Sequence, residues 1–371
     1  MKKTISLLLI LCALLSLVGC KKYKPVKSSE LESTTVYTIS HGGKSFEVKY
    51  ELYRALFLNL KSAVDGGDET VWSGEDKEQY IEKIDATILA FTADIYAALL
   101  LAESIGVNLY DKASEKKIES YIKTSIEGGT IDGETVSGVG SYEEYLRVLK
   151  SKGLNYSVQV LLYRYAMAVE AIEEHYIGTF SSDDISGSVD KGAIEYTEDD
   201  VRAFYESDGC VRVLRHFIQA GIAGEETEAY AERVRGYILD AAPDGDDAVA
   251  NTIMANGNLT AWEEVKNGYV MGRYNLDRAY FGEMTDAAFA LAEGEVSEVI
   301  RVADITSDGY YILYRAEKSE EHFDECYSSI CYVYLKNKVG EALEDIRLSL
   351  TESISATDFF KGLDRAAISM D

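Results

Sequence analysis

Residues 287–297 read AAFALAEGEVS and mark the part of the chain where the sequence pattern changes most clearly. The alanine-rich first half, residues 287–292, predicts a short helix or turn. Residues 295–302 then predict a strand. Residues 308–316 follow as the clearest strand of the chain, because aromatic and β-branched side chains dominate it. This region therefore predicts a mixed α/β arrangement.

The same mixed pattern extends back toward residue 210. Residues 210–219 alternate well enough to predict a strand, and residues 225–241 predict a helix. Residues 244–279 show no regular period and are expected to be irregular. Ahead of them, Thr197 followed by Asp200 predicts the cap of a short helix, and residues 180–190 predict a linker of Ser, Asp and Gly.

Helical patterns flank this region on both sides. Residues 80–105 carry apolar side chains at steps of three and four, which predicts a long helix that ends at Gly106. Further predictions are a hairpin at 35–50, a glycine-rich loop at 127–140, and helices at 114–126, 141–153, 156–175 and 323–350. The order helical, mixed, helical predicts an α+β fold.

The first residues predict export. Lys2 and Lys3 precede an apolar run over residues 5–18, and a helix of about 20 residues is needed to cross a bilayer. The run therefore predicts a signal peptide. Its end, Leu17-Val18-Gly19-Cys20, resembles the bacterial lipobox and predicts lipidation of Cys20; the alternative is an ordinary cleaved signal with a chance cysteine. Residues 84–101 are the richest later stretch and are expected not to span a membrane, because polar residues such as Asp85 and Asp94 interrupt them.

Composition narrows the functional classes. The chain of 371 residues has a formal net charge of −27 and is 47% hydrophobic, which favours a folded core and argues against nucleic acid as a partner. Beyond the signal peptide and Cys20, only Cys210, Cys326 and Cys331 remain, so we expect no disulfide framework. We also expect no metal site and no cofactor, because two thiols near His322 are a weak ligand set.

Several stretches of the sequence together resemble the PrsA/SurA-type extracytoplasmic foldases, and they occur in the order found in that family. They are residues 40–46 (SHGGKSF), 99–107 (LLLAESIGV), 196–205 (YTEDDVRAFY), 211–218 (VRVLRHFI), 287–297 (AAFALAEGEVS) and 309–312 (GYYI). The resemblance implies that N- and C-terminal helical segments join in one chaperone domain around an inserted parvulin-type prolyl isomerase domain, a small antiparallel sheet with helices.

The resemblance also implies five segments along the chain. They are a signal peptide at 1–19, a lipidated tether at 20–34, an N-terminal helical domain at 35–206, a parvulin-like domain at 207–318 and a C-terminal helical segment at 319–371.

A parvulin site needs an apolar pocket for the proline ring and a polar floor that favours the twisted amide. By resemblance, His216 is the first histidine of that floor, and Tyr311 replaces the second. The usual "y-S-x-D" segment, which supplies another floor residue, is not recognisable. The residues implied for the pocket are Tyr280 with either Leu276 or Met284, followed by Phe289.

The resemblance implies a lipid-anchored, extracytoplasmic peptidyl-prolyl isomerase that assists the folding of secreted proteins. The substituted floor predicts weak or absent turnover, so the alternative is a non-catalytic holdase with a degenerate parvulin domain. Expected partners are unfolded secreted polypeptides, the membrane through lipid on Cys20, and a second copy of the chain in a homodimer. A solute-binding lipoprotein is a third class, which the long helical N-terminal third disfavours.

Overall fold

The computed structural model describes residues 25–65, 69–75, 77–131, 134–178, 192–219, 227–257, 262–274, 278–303 and 308–369. The predicted signal peptide, Cys20 and the predicted linker at 180–190 lie outside these residues. The α+β class is confirmed, because long helices accompany small antiparallel sheets.

The chain divides into two compact units. The terminal unit comprises Met1–His175 with Leu343–Asp371, and the inserted unit comprises Tyr176–Ala342. The inserted unit is wider than the segment 207–318 that the resemblance implied. Aromatic packing accounts for the difference, since the Phe204 ring lies 5.5 Å from Tyr334 and the Tyr205 ring lies 5.4 Å from Phe323.

The terminal unit is mostly helical, with two small sheets of strand order β2-β1-β9 and β3-β4. Its elements are β1 (Thr35–His41), β2 (Lys44–Lys49), α1 (Tyr50–Asp65), α2 (Lys77–Ser104), α3 (Lys112–Glu127), β3 (Gly129–Ile131), β4 (Glu134–Val136), α4 (Tyr142–Ser151), α5 (Tyr156–Tyr176), the part of α11 (Glu320–Glu352) after residue 342, β9 (Ser355–Ala356) and α12 (Asp358–Lys361).

Local sequence signals account for several of these boundaries. The Asp111 carboxylate accepts a hydrogen bond from the Ser114 backbone N–H at 2.8 Å, and Ser141 does the same for Glu144 at 3.1 Å. Both are N-caps, which satisfy backbone donors that a helix start leaves unpaired. The stretch expected to be a glycine-rich loop contains the short hairpin β3–β4, so that prediction was incomplete.

The helix α2 is the core helix of the terminal unit. The length and composition of α2 are sufficient for a helix that crosses a membrane. The expectation that no stretch after the signal peptide is apolar enough to span a membrane was therefore wrong as far as composition is concerned. However, 67% of the apolar window is buried by the protein itself. Most of the apolar side chains of α2 therefore pack inside the terminal unit.

The C-terminal segment completes the terminal unit by backbone pairing. Strand β9 pairs antiparallel with β1, with Tyr37 opposite Ala356. The Thr357 hydroxyl donates to the Thr35 carbonyl at 2.8 Å, and the Phe360 ring packs on Tyr37 at 4.5 Å.

The inserted unit is built on one antiparallel sheet of strand order β6-β5-β8-β7. Its elements are α6 (Glu198–Glu206), β5 (Cys210–Gln219), α7 (Thr227–Ala241), α8 (Asp246–Asn256), α9 (Trp262–Asn267), β6 (Tyr269–Gly272), α10 (Arg278–Ala290), β7 (Ile300–Ala303), β8 (Asp308–Ala316) and the first part of α11. Residues 244–279 were expected to be irregular, and this was wrong. The predicted strand at 295–302 is shorter, at Ile300–Ala303.

The sheet has an apolar core on each face. Helices α7 and α8 cover one face, where Leu214, Ile218 and Ile312 are buried with side chains of both helices. Helix α10 covers the other face, where Met284 and Ala288 pack with strand residues such as Leu313. We call these the α8 face and the α10 face.

Candidate functional site

The register of β5 on β8 decides how the predicted site residues are arranged. His216 lies opposite Ile312, and Phe217 lies opposite Tyr311. Directly opposed residues project to the same face, and successive residues project to opposite faces. His216 therefore points to the α8 face, whereas Tyr311 points to the α10 face. The two residues do not form one polar floor, which corrects the arrangement that the resemblance implied.

His216 lies in a core. Its side chain is 2% exposed and contacts Gly257 at the end of α8, where an added Cβ would lie 3.0 Å from the His216 Cε1 atom. Within the described residues neither ring nitrogen has a hydrogen-bond partner, and burial lowers the pKa of His216 to about 4. The imidazole is therefore neutral at ordinary pH and has no route to a bound substrate in this conformation.

Three other predicted site residues are brought together on the α10 face. Met284 is buried in that core, and Phe289 and Tyr311 pack against it. The backbone of Tyr280 lies in α10, but its side chain is outside the described residues, as is Leu276. The pocket residues whose side chains are described thus lie with Tyr311 and away from His216.

The structure adds three residues to this face that the sequence analysis did not single out. The guanidinium carbon of Arg215 lies 3.5 Å from the ring centroid of Tyr269 and 5.9 Å from that of Tyr311, and the rings of Phe217 and Tyr311 are 4.7 Å apart. All four side chains are half-buried. We call Arg215, Phe217, Tyr269 and Tyr311 the aromatic–arginine patch. The signal for it was present, since Arg215 and Phe217 alternate with His216 along β5.

The patch combines flat apolar surfaces with a directed positive charge. Within the described residues no carboxylate pairs with Arg215, so its planar N–H donors remain available to a ligand. A guanidinium held over a ring by a cation–π contact is oriented without losing those donors. The arrangement suits a polypeptide whose apolar ring stacks on Phe217 or Tyr311 while a backbone carbonyl oxygen accepts from Arg215.

The described residues offer little acid–base or metal chemistry. No group of three or more His, Cys, Asp or Glu side chains in the described part of the chain could hold a metal ion. Cys210 is buried, which raises the pKa of its thiol to about 12 and makes it a poor nucleophile.

The second buried histidine of the inserted unit belongs to a structural network. The His322 Nδ1 atom lies 2.8 Å from the Tyr205 hydroxyl, and its Nε2 atom lies 2.9 Å from the Asn267 carbonyl. Arg212 donates to the same Asn267 carbonyl at 3.0 Å and to the Asp246 carboxylate at 2.7 Å. Burial lowers the pKa of His322 to about 4, so this histidine too is neutral at ordinary pH.

Fold and site together define an α+β protein in which a small antiparallel sheet with a candidate ligand-binding face is inserted into a helical unit. No family model matches the chain, and no curated protein matches it.

Three solved structures similar to the chain are PrsA foldases, the family that the sequence resembles. The foldase protein PrsA from Lactococcus lactis is 15% identical, covers 88% of this chain and 96% of its own, and gives a TM-score of 0.23. PrsA from Streptococcus pneumoniae is 16% identical, with 87% and 97% covered and a TM-score of 0.27. PrsA from Bacillus subtilis is 15% identical, with 79% and 94% covered and a TM-score of 0.23.

Proposed function

We propose that the protein is an extracytoplasmic protein-folding factor that binds unfolded secreted polypeptides, and that the aromatic–arginine patch contacts them. The observation that carries this proposal is the half-buried stack of Arg215 on Tyr269 beside the Phe217–Tyr311 ring pair. Aromatic rings on a rigid sheet provide contact area at low entropic cost, because they have few rotatable bonds.

Proline-containing segments are the ligands that this surface fits best. Aromatic-lined grooves bind extended proline-rich chains because the proline ring is compact and apolar and the chain is already restricted in conformation. A backbone carbonyl beside the proline would accept from the Arg215 guanidinium. Binding of this kind would shield an unfolded client without requiring any proton transfer.

Prolyl isomerisation is the second candidate, because Met284, Phe289 and Tyr311 share the α10 face. The Tyr311 hydroxyl can both donate and accept a hydrogen bond and could favour the twisted amide over the planar one. His216 takes no part in this version, since it lies on the α8 face. We expect turnover to be weak.

We also propose that lipid on Cys20 anchors the protein to the outer side of the cell membrane, on the basis of the Leu17–Cys20 motif. The expected result is a mature N-terminus at Cys20 whose mass includes acyl chains and which is lost in Cys20→Ala. A mature wild-type protein without acyl mass would contradict the anchor while leaving the folding function intact.

The function is tested by two measurements on the mature protein: suppression of client aggregation, and proline cis/trans exchange in a short Ala-Pro peptide by NMR. The variant Arg215→Gln/Tyr311→Ala removes half of the patch, and His216→Leu is the matched control on the opposite face. We expect the double variant to lose most of the aggregation suppression and His216→Leu to retain it.

The exchange measurement separates the two candidates. Acceleration that is lost in Tyr311→Phe and kept in His216→Leu would support an isomerase that uses the Tyr311 hydroxyl. No acceleration with suppression intact would support a holdase. Equal suppression by the wild type and the double variant would contradict polypeptide binding by the patch.

A further inference from the structure

A cleft of about 370 Å³ lies in the inserted unit between α6, the turn after β6 and α11. Its volume falls in the range of ligand pockets in proteins. Phe204, Tyr334 and Asn337 are buried lining residues, and Arg273 and Lys338 are exposed at its rim. The cleft therefore has an aromatic floor and a charged edge, and it includes no residue of the aromatic–arginine patch.

The carboxylates of the cleft are already engaged. Asp200 accepts from the Thr197 backbone N–H at 2.8 Å and from its hydroxyl at 2.6 Å, and these hydrogen bonds lower the pKa of Asp200. Glu341 accepts from the Asn337 amide and from the Lys338 ammonium, both at 2.9 Å. Lys338 is therefore paired with Glu341, whereas the Asp200 carboxylate keeps its negative charge and is held by neutral donors.

Arg273 is the cation of the cleft that has no such partner. Its guanidinium carbon lies 4.5 Å from the ring centroid of Phe289, and no described carboxylate pairs with it. Other arginines of this acidic chain do pair with carboxylates, in the pairs Arg147–Glu144, Arg164–Glu115, Arg202–Glu198, Arg212–Asp246, Arg235–Glu298, Arg347–Asp94 and Arg365–Asp85.

The backbone that carries Arg273 is fixed against α11. The Asn337 side-chain oxygen accepts from the Tyr274 backbone N–H at 2.9 Å, and Asn337 is only 3% exposed. Gly272 approaches the same amide so closely that an added Cβ would lie 2.7 Å from the Asn337 oxygen. The guanidinium is thus presented from a turn that is held in place before any ligand arrives.

We propose that this cleft is a second polypeptide-binding site, selective for segments in which an Asp or Glu follows a large apolar residue. The ligand carboxylate pairs with Arg273, and the neighbouring apolar side chain packs on Phe204 and Tyr334. Charge complementarity favours this occupant, because Arg273 is the lining cation without a carboxylate partner among the described residues, whereas Asp200 and Glu341 already accept hydrogen bonds from the protein itself. This inference rests on the proposed function, because it takes the ligand to be a polypeptide. The cleft is nevertheless a separate site from the aromatic–arginine patch.

The test is fluorescence anisotropy on the full mature chain with labelled peptides that differ at one position. Three proline-free probes place Glu, Gln or Lys after a phenylalanine, and a fourth probe carries Ala-Pro without acidic residues. We expect the Phe-Glu probe to bind about tenfold more tightly than the Phe-Lys probe, as a charge-assisted hydrogen bond allows. Arg273→Gln should abolish that ratio, and Arg273→Lys should restore part of it.

Arg215→Gln is the matched control, because it removes the same charge from another arginine stacked on a ring. It should weaken the Ala-Pro probe and leave the Phe-Glu probe within about twofold of the wild type. Equal affinity for the three phenylalanine probes, or a ratio that persists in Arg273→Gln, would overturn the cleft proposal. If neither the Ala-Pro probe nor the phenylalanine probes bind, the proposed polypeptide-binding function is contradicted together with the cleft proposal. If the Ala-Pro probe binds and only the preference for Phe-Glu is missing, the proposed function stands.

Discussion

The carboxylate of Asp94 in α2 and the guanidinium of Arg347 in α11 form a buried ion pair in the terminal unit, with 6% and 8% of their side chains exposed. This pair joins the N-terminal core helix to the last part of the long C-terminal helix. A second acidic residue of α2, Asp85, lies 3.5 Å from Arg365. Two carboxylates in the most apolar of the described helices thus pair with two arginines of the C-terminal segment.

Removal of one partner from the buried pair should destabilise the terminal unit strongly. Asp94→Asn removes the nearer of the two carboxylates that face the buried Arg347 charge and leaves Glu344, 3.7 Å away. We expect a loss of about 3 kcal/mol in the free energy of unfolding. Urea titration followed by the fluorescence of buried Trp72, in a Trp262→Phe background, reports on this unit.

Two variants serve as controls for this prediction. The double variant Asp94→Leu/Arg347→Met should recover most of the lost stability, because it removes both charges of the pair. Lys361→Ala, at an exposed ion pair, should cost less than about 1 kcal/mol.

Truncation of Phe360 should loosen the C-terminal segment from the terminal unit. The Phe360 ring packs on Tyr37 at 4.5 Å and on Tyr53 at 5.2 Å, so Phe360→Ala leaves a cavity in the core. We expect a loss of about 3–5 kcal/mol in the same urea titration. The neighbouring Phe359 is half-exposed and gives the comparison. Equal losses for Phe359→Ala and Phe360→Ala would contradict this packing.

Arg212 should be essential to the inserted unit for structural reasons. It is buried and donates to the carbonyls of Lys266 and Glu317 at 2.7 Å, as well as to Asn267 and Asp246. Arg212→Met removes the donor that all four acceptors share, and we expect a loss of about 3 kcal/mol or more in the unfolding free energy. Arg215→Met makes the same chemical change on the same strand, where the side chain is half-buried, and should cost about 1 kcal/mol.

The inserted unit should lose stability in mild acid because of its two buried histidines. The pKa values of His216 and His322 are lowered from 6.5 to about 4, so the unfolded chain takes up protons at a higher pH than the folded chain. Stability is therefore full above about pH 6.5 and falls as the pH drops toward 4, by up to about 3 kcal/mol for each histidine.

The variant His216→Leu checks the source of this pH dependence. The leucine takes up no proton, so the free energy of unfolding should depend less on pH between pH 6.5 and 4. The variant also removes a buried polar group without a partner, so stability at neutral pH should rise. Urea midpoints at a series of pH values give the measurement. An unchanged slope would show that His216 is not buried in neutral form.

Much of the local structure could be predicted from the sequence. Strands β5 and β8 occupy the predicted residues, the hairpin at 35–50 is present, and Thr197 and Asp200 form the predicted capping box. These features depend on side-chain period and on contacts within a few residues, so the sequence carries them directly. The prediction that residues 244–279 are irregular was wrong because these elements depend on distant contacts. The short elements α8, α9 and β6 are stabilised by tertiary contacts in the inserted unit more than by local propensity.

The sequence by itself determined the order of helical, mixed and helical segments, the acidic charge and the residue types of the candidate site. Only the tertiary structure decided which of those residues meet. A shift of one residue in the register of β5 on β8 would move His216 to the face of Tyr311, and no local signal sets that register. It is set by burial of Leu214 and Ile218 under α7 and α8. This burial places His216 in the core of the α8 face and Arg215 in the half-buried patch on the α10 face.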